Sequence, residues 1–394
     1  MQTRAVMIVV LAVTASAGFG ATPSFGDFDR RARAGEKLNV VFFGASLTWG
    51  ANATDPLQTS YRARVAQRME RQYPQAHFKF WDAAIGGTGS QLGVFRLERD
   101  VLRRQPDLVF LDFSANDDIT TDTPETLASY EALLRRLVTE AKCPVVQVIF
   151  PFKWNVATGT TDGMKRRDAH RALSHAYNTA IGDAIALAIE RVKTGSTTLA
   201  QLWPFDGVHP GDAGYELFAD AAWTAFQTAG RDQLVCRAPE KMLYADTYMH
   251  SARVPLMSLG PLPTGWRAGT PNLTSAYFDF LMSRWLDGVA VATNSAERIR
   301  ARFSGSMLLL FGETTKASGK YRVQLDDRPP QSFDAGAFGR RIGGNGHYVQ
   351  IVATNLDATV DHALEIEPVL EAGQELRLES LCVAGGPAKV LPAQ

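Results

Sequence analysis

The sequence predicts an α/β domain built on a doubly wound parallel sheet, followed by an all-β sandwich or jelly-roll domain, and three observations predict it. Over residues 38–235 short apolar runs alternate with helical stretches, the pattern of strands joined by crossover helices in a parallel sheet. Several of these runs stop abruptly at glycine, serine or asparagine, as buried strands do when they enter a turn. Beyond 235 the helical period gives way to alternation. Tyr321, Val323 and Leu325 stand against Arg322, Gln324 and Asp326, and Leu376 and Leu378 against Arg377 and Glu379. Short alternating strands parted by Gly, Pro, Asn and Asp imply an antiparallel sandwich, placed at 245–390.

The elements follow in order. Residues 1–21 have Arg4, an apolar stretch from Ala5 to Val13 and small residues Ala15-Ser16-Ala17, the layout of a cleaved signal peptide. That stretch is far short of the roughly 20 residues that span a bilayer. The protein is therefore expected to be secreted or periplasmic. Residues 22–37 read as a linker. The first strand, LNVVFFG, leads to Ser46, with a loop over 51–60 and a helix over 61–73. A strand over 78–84 precedes Gly86-Gly87-Thr88-Gly89, and a helix over 91–104 precedes a strand over 108–113, which Asn116 follows. A helix over 124–141 has Pro124 in its first turn. A strand over 144–150, one long helix over 165–192, a loop over 205–214 and a helix over 215–228 complete the unit.

The 394 residues are 45% hydrophobic and 21% charged, ordinary for a globular protein with sizeable cores. Lys+Arg and Asp+Glu number 41 each with no basic run, which argues against nucleic acid or an anionic membrane surface as partner. Cys143, Cys236 and Cys382 lack metal spacing. Cys143 precedes a strand and is expected to be buried, while Cys236 and Cys382 are able to pair in an oxidising compartment.

Acyl transfer from an ester needs a nucleophile, a base, a group orienting the base, and donors for the oxyanion. Ser46 on its tight turn supplies the nucleophile and a backbone N–H. His209 supplies a base titrating near neutrality, and Asp206, three residues earlier, is able to reach its far ring nitrogen. Gly86 and Gly87 let backbone N–H groups approach a substrate oxygen, and Asn116 offers an amide to the same oxygen. Each signal is modest alone: a lone D-x-x-H is commonly structural, glycine makes tight turns, and asparagine after a strand forms Asx turns. On four loops of one sheet edge they reinforce one another.

The Gly-Ala-Ser46-Leu block, the Gly87 block, Asn116 and DGVHPGDAGYELFAD, in this order, resemble the SGNH (GDSL-like) hydrolase family over about 38–230. The resemblance implies a flavodoxin-like α/β fold, with Ser46 as nucleophile, His209 as base and Asp206 as its partner. Ser46, Gly87 and Asn116 would form the oxyanion hole. Ala45 stands where the eponymous motif has Asp, and Gly86 competes with Gly87 for the donor position. The stretches GSMLLLFG, YRVQLDD and HYVQIVA look like the jelly-roll modules that accompany some carbohydrate esterases of this family.

The expectation is thus an exported serine esterase acting on short-chain, O-acetyl esters of carbohydrate, needing no cofactor or metal. Its partner is an acylated carbohydrate or small ester. A polysaccharide O-acyltransferase or a lipid or thioester hydrolase would use the same residues, and a glycan-binding protein would keep the fold without the reaction. A dinucleotide fold is imitated by Gly87, Gly89, Gly93 and Asp112, but the spacing is not G-x-G-x-x-G. Trp49 and Trp154 are candidates to line the site, and Trp266 and Trp285 to stack on sugar rings, core packing being the alternative for each. His170 and His175, five apart on a helix, are expected at the surface rather than on a metal. Solvation or loop capping accounts for Asp117 and Asp118 better than a metal pair does.

Overall fold

A computed structural model describes residues 23–272, 286–294, 296–342 and 344–392. The expected signal peptide, 1–21, and Trp285 lie outside the described residues. The chain runs through α1 (Phe25–Arg33), β1 (Lys37–Gly44), α2 (Ser46–Trp49), α3 (Tyr61–Gln72), β2 (His77–Ala84), α4 (Ser90–Asp100), β3 (Leu108–Leu111) and α5 (Pro124–Arg136). It continues with β4 (Val145–Ile149), α6 (Lys153–Ala157), α7 (Lys165–Tyr177), β5 (Ala180–Asp183), α8 (Ala184–Lys193), α9 (Leu199–Leu202) and α10 (Asp212–Arg231).

β1 to β5 form one parallel sheet in the order β2-β1-β3-β4-β5. The inner strands β3 and β4 are buried at every residue, and β1 at nearly all, because helices cover both faces. The edge strands β2 and β5 are only partly buried. The order reverses between β1 and β3, so the crevice at their carboxyl ends is the place where such sheets bind ligands. Ser46 follows β1 and Asn116 follows β3, one on each side of that crevice.

Two segments differ from the sequence reading. The expected linker at 22–37 contains helix α1, whose Phe25, Phe28 and Ala32 are buried. Ser24 caps it by accepting the Asp27 N–H at 3.2 Å, and Phe28 meets Phe226 of α10 edge-on at 5.7 Å. The single helix expected over 165–192 is broken by β5. Asn178 ends α7 in the left-handed region, φ 51°, and Asp183 starts α8 by accepting the Ala186 N–H at 3.0 Å. At Gly182 between them a Cβ would lie 2.8 Å from the Ala221 carbonyl oxygen of α10, so glycine lets that helix lie on the strand.

The C-terminal part comprises β6 (Ser251–Pro255), β7 (Trp266–Gly269), β8 (Val289–Ala292), β9 (Ile299–Ser304), β10 (Met307–Thr314), β11 (Lys320–Leu325), β12 (Gln331–Asp334), α11 (Ala337–Ile342), β13 (Gly346–Ala353), β14 (His362–Val369), β15 (Leu376–Ala384) and β16 (Lys389–Pro392). Two antiparallel sheets result, β13-β10-β15-β8-β7 with β6 beside β15, and β12-β11-β14-β9-β16. β11 shows the expected alternation. β15 does not: it is buried along its whole length, as is β10. Leu308 and Leu310 point into the sandwich, whereas Met307, Leu309 and Phe311 join the cluster that contains the α/β core. Arg377 and Glu379 are therefore not solvent-facing. Arg377 Nε donates to Glu313 Oε2 at 2.6 Å, and Arg253 Nε donates to Glu379 Oε2 at 3.1 Å.

Other expectations resolve in the same terms. All three cysteines are buried and free, so Cys236 and Cys382 do not pair. Cys236 sits where the chain returns to the N-terminal edge, its N–H on the Pro23 carbonyl, while Cys382 lies on β15. His170 is fully buried rather than at the surface, its ring stacked 3.8 Å from that of Tyr130, and burial drives its pKa well below the usual value. His175 is exposed. Trp266 is a core residue whose Nε1 donates to the Glu297 carbonyl at 2.7 Å. Asp118 caps its own loop through the N–H and Oγ1 of Thr120.

Candidate active site

The turn after β1 is tight enough to require glycine. A Cβ on Gly44 would lie 2.2 Å from Thr48 Oγ1 and 2.6 Å from the Asp112 carbonyl oxygen. Ser46 is thereby set at the first turn of α2, only 3% exposed. Beneath it Thr48 Oγ1 donates to Asp112 Oδ2 at 3.2 Å, and burial pushes the Asp112 carboxyl up to about 7 against that bond. The buried Arg96 of α4 donates to the carbonyls of Gly44 at 2.8 Å and Ala83 at 2.7 Å, fastening the ends of β1 and β2 together.

The loop before α10 carries Asp206 and His209. Asp206 Oδ1 accepts the N–H groups of Val208 at 2.6 Å and His209 at 2.7 Å, and Asn52 Nδ2 donates to Oδ2 at 2.8 Å. Burial alone would raise this carboxyl, but the two N–H groups and the Asn52 amide hold it below the usual range. His209 Nε2 lies 3.0 Å from Ser46 Oγ, and Nδ1 lies 3.4 Å from Asp206 Oδ2. A carboxylate only accepts, so Nδ1 carries the proton and Nε2 faces the hydroxyl as acceptor. Burial depresses the His209 pKa, partly offset by the Asp206 charge, which leaves the imidazole neutral at neutral pH.

Above these groups opens a cavity of about 830 Å³. Ser46, Gly87 and Asn116 line one wall, and Phe338, His347 and Tyr348 of the β part line the other. Gly87 has φ 72° and faces the cavity, whereas Gly86 is buried and does not line it. Asp117, next to Asn116, is pushed up to about 6 by burial, opposed by its bond from Ser90 and by the Arg166 charge. A separate hollow of about 470 Å³ between β5 and α10 holds none of these residues.

The structure thus brings together Ser46, Asp206, His209, Gly87 and Asn116. It does not bring Trp49 or Trp154 into the cavity. Trp49 is half-buried and its carbonyl accepts from Arg62 Nε at 3.3 Å. Trp154 is 53% exposed and packs on Phe152 and over Gly207. Asn52 and the β-part wall were missed. Asn52 carried one signal, an asparagine in the loop after Ser46, while the wall depends on packing between distant strands. Among the described residues no cluster of His, Cys, Asp and Glu is suited to a metal.

A neutral histidine against a serine hydroxyl, with donors across a crevice, is chemistry for adding an oxygen nucleophile to a carbonyl. The fold and this site define an ester-hydrolysing enzyme of the α/β class. Residues 42–217 match the model of the GDSL-like Lipase/Acylhydrolase family. Among solved structures, a two-domain esterase (CEX) active on acetylated mannans, co-crystallised with mannopentaose, is similar to this chain with a TM-score of 0.76 at 23% identity, covering 92% of this chain and 95% of its own. A second structure of a two-domain esterase (CEX) active on acetylated mannans gives 0.72 at 23% identity over the same shares. The acetylxylan esterase Axe2 from Geobacillus stearothermophilus gives 0.38 at 24% identity, covering 48% of this chain and 94% of its own. No curated protein matches the chain in sequence.

Proposed function

We propose that the protein is an exported esterase that removes short acyl groups, O-acetyl foremost, from carbohydrate through an acyl-serine intermediate. The observation that carries the reading is His209 Nε2 at 3.0 Å from Ser46 Oγ, inside a cavity walled by both parts of the chain. His209 takes the Ser46 proton as Oγ attacks the acyl carbonyl. Asp206 holds the imidazole and stabilises its charged form. The N–H groups of Ser46 and Gly87 and the Asn116 amide receive the oxyanion. His209 then protonates the departing alcohol, and water, activated by the same base, releases the acid from Ser46.

The β-part wall supports a carbohydrate as the alcohol, because it adds the side chains of Phe338, His347 and Tyr348 to the lining of the cleft, and aromatic side chains suit the apolar faces of sugar rings. The likeness to an esterase active on acetylated mannans agrees in fold. The signal-like layout of residues 1–21 supports export.

The test is hydrolysis of acetate, butyrate and octanoate p-nitrophenyl esters, and of acetylated mannan and xylan, by wild type and Ser46→Ala. Acetate release from a glycan, abolished by Ser46→Ala, is expected. Octanoate preference points to a lipid or thioester instead, and acyl transfer to sugar without release to water points to a transferase.

A further inference from the structure

The two loops that carry the oxyanion donors are joined by one carboxylate. α4 begins at Ser90, with Gly89 in the N-cap position and no side chain there to cap it. Asp117, on the loop after β3, fills that place from outside the helix: its Oδ1 accepts the Ser90 N–H at 3.0 Å. The space at Gly89 is shaped around this oxygen, since a Cβ there would stand 2.3 Å from Asp117 Oδ1. Gly89 itself has φ −101°, open to any residue, so the need for glycine is a matter of room for the carboxylate. Asp117 is 7% exposed, and its N–H donates to the Phe113 carbonyl at 3.0 Å, which fixes it relative to Asn116 one residue before. On the helix side, Ser90 Oγ lies 2.6 Å from Ser129 Oγ of α5.

We propose that Asp117 is a positioning residue of the oxyanion hole, setting the separation between the Gly87 N–H and the Asn116 amide by acting as a borrowed N-cap for α4. The proposal rests on the oxyanion-hole reading given above. Asp117 does not touch the substrate. It acts through the loop 87–90 on one side and through Asn116 on the other. A negative charge at a helix N-terminus is itself favourable. Donors for a developing oxyanion act only within a fraction of an ångström of the right place, and a 1 Å misplacement costs on the order of 100-fold.

The experiment measures kcat and KM for p-nitrophenyl acetate with wild type, Asp117→Ala, Asp117→Asn, Gly89→Ala and Asn116→Ala, circular dichroism checking the fold. Asp117→Ala is expected to lower kcat about 10–100-fold with KM within about twofold, the mark of an interaction made only in the transition state. Gly89→Ala, which pushes the carboxylate aside, is expected to do the same. Asp117→Asn keeps an oxygen for the Ser90 N–H and is expected to recover most of kcat. A folded Asp117→Ala enzyme at the wild-type rate overturns the proposal, as does a change in KM alone. If Asp117→Ala does not fold, the other two variants decide: wild-type kcat in Gly89→Ala, or an Asp117→Asn enzyme as slow as Gly89→Ala, overturns it. Asn116→Ala separates the two readings. If it is unimpaired, the oxyanion hole and this proposal fall together. If it is impaired while Asp117→Ala is not, this proposal alone falls.

Discussion

Replacing Asn52 by glycine isolates the support that the Asp206 carboxylate receives from the Ser46 side of the crevice. Asn52 sits in the left-handed region at φ 68°, which asparagine tolerates better than most residues and glycine freely. Its Nδ2 donates to Asp206 Oδ2 at 2.8 Å, the same oxygen that faces His209 Nδ1. A hydrogen bond to a charged group contributes about 1.5–3 kcal/mol. The Asp206 side chain is 36% exposed, and water replaces part of that bond. The expected loss is therefore just below that range, about 1.4 kcal/mol or tenfold in kcat/KM. Steady-state hydrolysis of p-nitrophenyl acetate at pH 7 reads it directly. Asn52→Ala serves as the companion, because it loses the same amide but adds about 1 kcal/mol of backbone strain. That strain belongs in the unfolding midpoint, so both variants are expected to share one kcat/KM. Asn52→Gly within twofold of wild type would refute the reasoning.

Three further outcomes are expected. Because burial lowers the His209 pKa and the base works deprotonated, the acid limb of kcat/KM is expected below pH 6.5, and a midpoint above 6.5 would show that the Asp206 charge dominates instead. Glu131 is fully buried and accepts the Leu243 and Tyr244 N–H groups at 2.8 and 2.7 Å and the Tyr177 hydroxyl at 2.8 Å. Glu131→Ala strands these donors and is expected to destabilise by about 3 kcal/mol, read as a lower urea midpoint, and an unchanged midpoint contradicts it. Arg377→Met leaves the fully buried Glu313 without its ion-pair partner and is expected to cost about 3–5 kcal/mol in the same measurement, a loss under 1 kcal/mol counting against a buried ion pair at that place.

What was legible in the sequence was local. The run into Gly44 and Ser46, and the Asp206–His209 loop, each place their chemistry within a few residues, and strand ends on one sheet edge brought them together. β5 escaped because four residues between two helices carry too short a pattern, although Asn178 and Asp183 marked its ends. α1 escaped because its three apolar contacts are scattered among Asp and Arg. The cavity wall of Phe338, His347 and Tyr348 had no local signal, since it arises from packing between residues far apart in the chain. Alternation misled at Arg377 and Glu379, because a strand covered on both faces buries its charged residues as pairs.

β10 carries a consequence for how this chain is divided. A strand whose even residues close one core and whose odd residues close another belongs to neither alone. Cutting the chain after α10 would strip Met307, Leu309 and Phe311 from the interior they share with the α/β part, leaving a greasy scar on each fragment. The two parts are then less like beads on a string than like two rooms with a common wall, and transplanting either into another protein means rebuilding that wall.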